Sequence, residues 1–81
     1  MTWTVVWSPI CERDVREMPW PLAARICGAV LELAESGTGH IERALPGDPR
    51  LLRLRVGGAV ALLRLDPSTR TLAVWRIYAV K

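Results

Sequence analysis

A chain of 81 residues with 51% hydrophobic content suits one small domain and is too apolar for intrinsic disorder. No run of about 18 uncharged apolar residues crosses a bilayer as a helix, and Met1-Thr2-Trp3-Thr4 lacks the basic and apolar regions of a secretory leader. With no leader or span expected, a cytoplasmic protein without a membrane partner is the starting expectation, and a net charge of +3 identifies no partner by itself.

Trp3 to Trp7 is aromatic and β-branched, which predicts a strand. Ser8 then reads as an N-cap and Pro9 as the first helical residue, where a missing N–H costs nothing. The helix extends to about Glu17 and stops at Met18-Pro19, because a residue preceding proline is pushed out of the α region. A second helix is expected from near Pro21. Leu22, Ile26, Ala29, Val30 and Leu33 form its core-facing stripe, and Ser36-Gly37-Thr38-Gly39 closes it. Those glycines follow a helix and do not open one, so they are a cap and not a phosphate cradle.

His40 to Pro49 reads as a linker. From Leu51 to Val56 apolar and basic residues alternate, with Leu52, Leu54 and Val56 on one face and Arg53 and Arg55 on the other. Gly57-Gly58 signals a two-residue hairpin. Ala59 to Leu65 is almost wholly apolar and is expected at the centre of the sheet. Asp66-Pro67-Ser68-Thr69 turns the chain into a last strand, Thr71 to Val80. The expected order is β-α-α-β-β-β over residues 1–81: an α+β domain with two N-terminal helices on one face of a small, mostly antiparallel sheet. The other face would carry Arg53, Arg55 and Arg64.

Charge is unevenly placed along this layout. Residues 50–81 hold six arginines and one lysine against a single acid, Asp66, whereas the first half carries seven acids. A basic half on an amphipathic sheet suits a polyanion or an acidic protein. Exposed arginines alternating on a strand also serve simply as a solvated face that blunts edge pairing, and both readings stay open. Cys11 and Cys27 are expected as reduced, buried hydrophobes. Two isolated cysteines and one histidine, His40, lack the paired spacing of a zinc site, so neither a metal nor another cofactor is expected. His40 reads as a solvated or loop-anchoring residue. Trp3, Trp7, Trp20 and Trp75 read mostly as core, with Trp3 and Trp7 sharing the helix-packed side of their strand. On an open face Trp75 could instead stack a base or meet a partner protein.

Three stretches in this order resemble the RelE/ParE family of small bacterial toxins. They are Trp3-Thr4-Val5-Val6-Trp7-Ser8-Pro9 followed by Glu12-Arg13-Asp14, the helix end Leu33-Ala34-Glu35-Ser36-Gly37, and Leu51-Leu52-Arg53-Leu54-Arg55-Val56-Gly57-Gly58 with the strands after it. The resemblance spans nearly the whole chain. It implies the growth-inhibiting toxin of a type II toxin–antitoxin pair, held in complex by a cognate acidic antitoxin laid across its sheet. RelE-like members cleave mRNA in the ribosomal A site (mRNA interferases), and ParE-like members poison DNA gyrase.

The departures fall on the chemistry. After the hairpin glycine the family usually continues Tyr-Arg, the Arg being catalytic in RelE-like nucleases. Here Ala59 and Val60 stand there. The family's last strand runs into a basic pair and a tail with an acid–base Tyr, whereas this sequence ends Ala79-Val80-Lys81, with Lys81 matching the last basic position. Cleavage through the RNA's own 2′-OH needs a base, an acid and cations around the phosphorane. Arg53 and Arg55 carry over directly as the cations, with Arg64 as a further RNA contact and Lys81 assisting at the phosphate. Arginine is a poor base at its ordinary pKa. Tyr78, the only tyrosine, is either a substitute proton-transfer group or a packing residue. The implied function is thus a RelE-like nuclease with part of its catalytic set lost. The alternatives are a non-catalytic ParE-like inhibitor, or a degenerate toxin that only binds its antitoxin.

Overall fold

The computed structural model describes residues 2–80. Its elements are β1 (Thr4–Trp7), α1 (Pro9–Glu17), α2 (Trp20–Ser36), β2 (His40–Arg43), β3 (Leu51–Val56), β4 (Ala59–Asp66) and β5 (Thr71–Ala79). The strands form one sheet in the order β1-β5-β4-β3-β2. Only the β1–β5 pair is parallel, so the sheet is mostly antiparallel, and the apolar β4 lies at its centre.

The expected segments form for the expected reasons. Ser8 caps α1, its Oγ accepting the Cys11 N–H at 3.0 Å, and Pro9 follows in the first turn. α2 ends at Gly37, whose left-handed φ of 75° lets its N–H reach the Leu33 carbonyl. Gly58 turns the β3–β4 hairpin at φ 96°, and a Cβ there would sit 3.2 Å from Leu22 Cδ1. That hairpin is also tied to α2, because Arg25 Nη1 donates to the Gly57 carbonyl at 2.7 Å.

The helices cover one face. Ile26, Val30 and Leu33 of α2 meet Leu54, Leu63, Leu72, Val74 and Ile77 of the sheet, with Cys11 from α1 in the same cluster. Fully burying each such aliphatic side chain contributes about 1.5–3 kcal/mol. Trp7 in β1 and Trp3 just before it pack against this core, as their shared parity predicts. Cys11 is buried and Cys27 half-buried, and both are free thiols.

The linker expectation over His40–Pro49 is corrected at its start, where β2 adds a fifth strand to the predicted layout. All four β2 residues are exposed, so no apolar alternation marks the strand. It forms because β3 offers an unpaired edge, with His40 opposite Arg55 and Glu42 opposite Arg53. A second irregularity lies in β5. The register against β4 slips between Leu62 and Leu63, which pair with Arg76 and Val74, leaving Trp75 as the extra residue of a bulge.

Candidate functional site

Strand parity decides what the uncovered face of the sheet presents. Leu52, Leu54 and Val56 point to the helices, so Leu51, Arg53 and Arg55 point away. Register carries this across the sheet. One row reads His40, Arg55, Val60, Tyr78, and the next reads Glu42, Arg53, Leu62. In the row beyond, Arg64 lies beside Leu51 and Ala73. Arg55 and Tyr78 are two strands apart, roughly 9–10 Å between backbones at ordinary strand spacing.

Arg53, Arg55, Arg64 and Tyr78 therefore share one face, as the alternation predicts for the arginines. Lys81 lies outside the described residues. Trp75 joins the others, 45% exposed, because it continues the outward alternation of Thr71 and Ala73, and the bulge there turns Ile77 inward and Tyr78 onto this side. Leu45, Leu51, Arg53, Leu62, Trp75 and Tyr78 line a cavity of about 260 Å³ there. Val60 is 5% exposed, a buried aliphatic in the row between Arg55 and Tyr78. Among the described residues, no three or more His, Cys, Asp or Glu side chains gather as a metal site. Nor is any helix among them long and apolar enough to cross a membrane.

Glu42 is the residue the linker expectation hid. Its Oε1 lies 3.4 Å from Arg53 Nη1 and 3.6 Å from Arg55 Nη1, so one carboxylate oxygen serves both arginines. Arg53 Nε is buried and has no acceptor. His40, expected in a loop, opens β2 directly across from Arg55.

Behind this face, α1 replaces the neighbour that β5 loses once β1 ends. Ser8 Oγ donates to the Trp75 carbonyl at 3.0 Å, and Asp14 Oδ2 accepts the Ile77 N–H at 2.9 Å. Arg76 Nε donates to the same Asp14 oxygen at 3.0 Å. Partial burial pushes the Asp14 carboxyl up. The hydrogen bonds from Arg76 and Ile77, with the charges of Arg76 and Arg13, outweigh that and hold it below the ordinary aspartate value. Sequence could not pair Asp14 with Arg76 across 62 positions. Burial raises the Cys11 thiol to about 11, with the nearby Cys27, Asp14 and Glu12 adding to it.

No protein-family model and no curated protein matches the chain. Solved structures do. The chain is similar to the RelBE2 toxin–antitoxin complex from Mycobacterium tuberculosis at a TM-score of 0.85 and 17% identity, covering 99% of this chain and 93% of that one. The isolated RelE toxin of E. coli superposes at 0.81 with 11% identity, over 99% of this chain and 86% of that one. The archaeal RelE–RelB complex from Pyrococcus horikoshii superposes at 0.79 with 14% identity, over 98% and 96%. The fold is the RelE-type α+β fold.

Proposed function

We propose that this protein is the toxin of a type II toxin–antitoxin pair and that its uncovered sheet face works on ribosome-bound mRNA. The observation that carries this reading is the convergence of Arg53, Arg55 and Arg64 with Trp75 and Tyr78 on the one face that no helix covers. Guanidinium groups grip phosphates through paired N–H donors, and exposed aromatic rings stack unpaired bases, so the set suits a single-stranded RNA segment. The RelE fold supports the same reading, as do neighbours whose structures are toxin–antitoxin complexes. An acidic antitoxin would neutralise this basic surface.

Chemically, Arg53 and Arg55 stabilise negative charge on the phosphate undergoing attack, Arg64 holds the strand alongside, and Tyr78 handles a proton. Lys81, by its match to the family's last basic position, assists at the phosphate. Val60 is where the resemblance expects a catalytic arginine, and a buried aliphatic supplies neither charge nor proton. The nuclease reading therefore comes with slow chemistry.

That same valine favours a second reading, a ParE-like protein that inhibits a target such as DNA gyrase without cutting RNA. Induced expression in a bacterial host tests the proposal. Growth arrest by the native chain, relieved in Arg53→Ala/Arg55→Ala protein of equal abundance, is the expected result. Arrest that survives loss of both arginines removes the phosphate-gripping role. Arrest accompanied by lost gyrase supercoiling and intact mRNA transfers the function to the second reading.

A further inference from the structure

Building on the reading of the uncovered face as a phosphate-gripping surface, we propose that Glu42 is a built-in competitor for RNA. It occupies Arg53 and Arg55 in the free protein and sets the affinity a nucleic acid must exceed to bind.

Register places it for this. Glu42 lies directly opposite Arg53 in the β2–β3 pair, and Arg55 is its diagonal neighbour two residues along. A single oxygen, Oε1, sits between both guanidinium groups. Among the described residues no other acid lies in salt-bridge range of either arginine. One of the two positive charges is thus cancelled in the resting protein.

The hold is made to be lost. Both contacts are long, at 3.4 and 3.6 Å, and each is a single point of contact and not a bidentate fork. The three side chains are 37%, 57% and 46% exposed, so water screens the pairs. The hold is also incomplete. Arg53 Nε is buried without an acceptor, and Glu42 reaches only Nη1. A phosphate has oxygens enough to accept from Arg53 Nη1 and Nη2 together while a neighbouring phosphate takes Arg55. Exchange therefore leaves Arg53 better satisfied than before. A lone carboxylate gains nothing over Glu42, whereas a phosphodiester chain running along Arg55, Arg53 and Arg64 does. The threshold thus selects for multivalent polyanions.

The test is fluorescence anisotropy with a short labelled single-stranded RNA of mixed sequence. The full chain is compared with Glu42→Gln, Glu42→Ala, Arg53→Ala/Arg55→Ala, and the triple variant combining Glu42→Gln with both arginine changes. Glu35→Gln is the control, since it removes one negative charge from exposed α2 on the helix side of the sheet. Glu42→Ala guards against a glutamine amide that keeps one hydrogen bond to the arginines, and a thermal melt confirms each variant is folded.

The expected result is binding about five- to ten-fold tighter in both Glu42 variants, the size of two weak exposed pairs. Glu35→Gln should change it less than about two-fold, and the gain should vanish in the triple variant. Binding that appears only once Glu42 is removed supports the proposal equally. A Glu42 effect no larger than that of Glu35→Gln, or weaker binding, overturns it. If Arg53→Ala/Arg55→Ala still loses affinity in that case, the arginine reading survives alone. A gain that persists without both arginines, or no binding by any variant, overturns the competitor and the phosphate grip together.

Discussion

Asp14 offers the sharpest test of how the site is held in place. Its side chain is only 12% exposed and receives the Ile77 N–H together with Arg76 Nε. Replacing it by alanine strands the Ile77 amide at a sheet edge that α1 covers, and an unsatisfied amide in such a place costs about 1–3 kcal/mol. The bond from Arg76 adds little, because that side chain is 51% exposed and water replaces the carboxylate. The expected loss for Asp14→Ala is therefore about 2 kcal/mol, or roughly 10 °C in Tm for a domain of this size. Arg76→Ala should cost clearly less, and Asp14→Asn should fall between, keeping an oxygen for Ile77 but losing the charge. The pH dependence follows from the depressed carboxyl. A group whose folded pKa lies below its unfolded value near 3.9 stabilises fully above that value, and its contribution fades as pH falls through the folded pKa. Urea unfolding at pH 7 and at pH 3 should show the gap between native and Asp14→Asn protein narrowing in acid. An Arg76→Ala loss equal to that of Asp14→Ala would refute the argument that the buried amide, not the ion pair, matters most. A gap that widens at pH 3 would contradict the depressed Asp14 carboxyl.

Leu54 is fully buried under α2, and Leu54→Ala should cost about 3–5 kcal/mol in urea denaturation, enough to threaten folding of so small a domain. Gly58→Val, at φ 96° with Leu22 Cδ1 3.2 Å from the added Cβ, should lower Tm more than Gly28→Ala, where nothing lies within 4 Å. With its thiol near 11, Cys11 should resist iodoacetamide at pH 8, since only about 0.1% is thiolate even before burial is counted, and should label once urea unfolds the chain. With Trp75 exposed on the uncovered face, RNA binding should quench tryptophan emission, and Trp75→Leu should abolish that quench.

Local chemistry and longer-range geometry divide what the chain reveals before it is folded. Ser8-Pro9, Gly37 and Gly57-Gly58 act within a few residues of themselves, and each ends or starts an element where the sequence predicts. Arg53 and Arg55 share the uncovered face because the strand period of two is a property of the backbone. β2 escapes notice because His40-Ile41-Glu42-Arg43 has no buried residue to set a period, and its existence depends on the edge that β3 presents. Glu42 is hidden for the same reason: its role follows from register, not from its neighbours in sequence. Tyr78 reaches the uncovered face by way of a one-residue slip against β4, since unbroken alternation from Leu72 and Val74 would turn it under the helices. Asp14 and Arg76 meet only when α1 lies down along the edge of β5, where β1 has stopped.

Primer extension on mRNA from a purified translation reaction tests most directly whether the uncovered face acts on ribosome-bound mRNA. Weak cuts in phase with codons are expected, only when ribosomes are present, and lost on Arg53→Ala/Arg55→Ala. Intact mRNA with normal translation, at protein concentrations that arrest growth in cells, would contradict it.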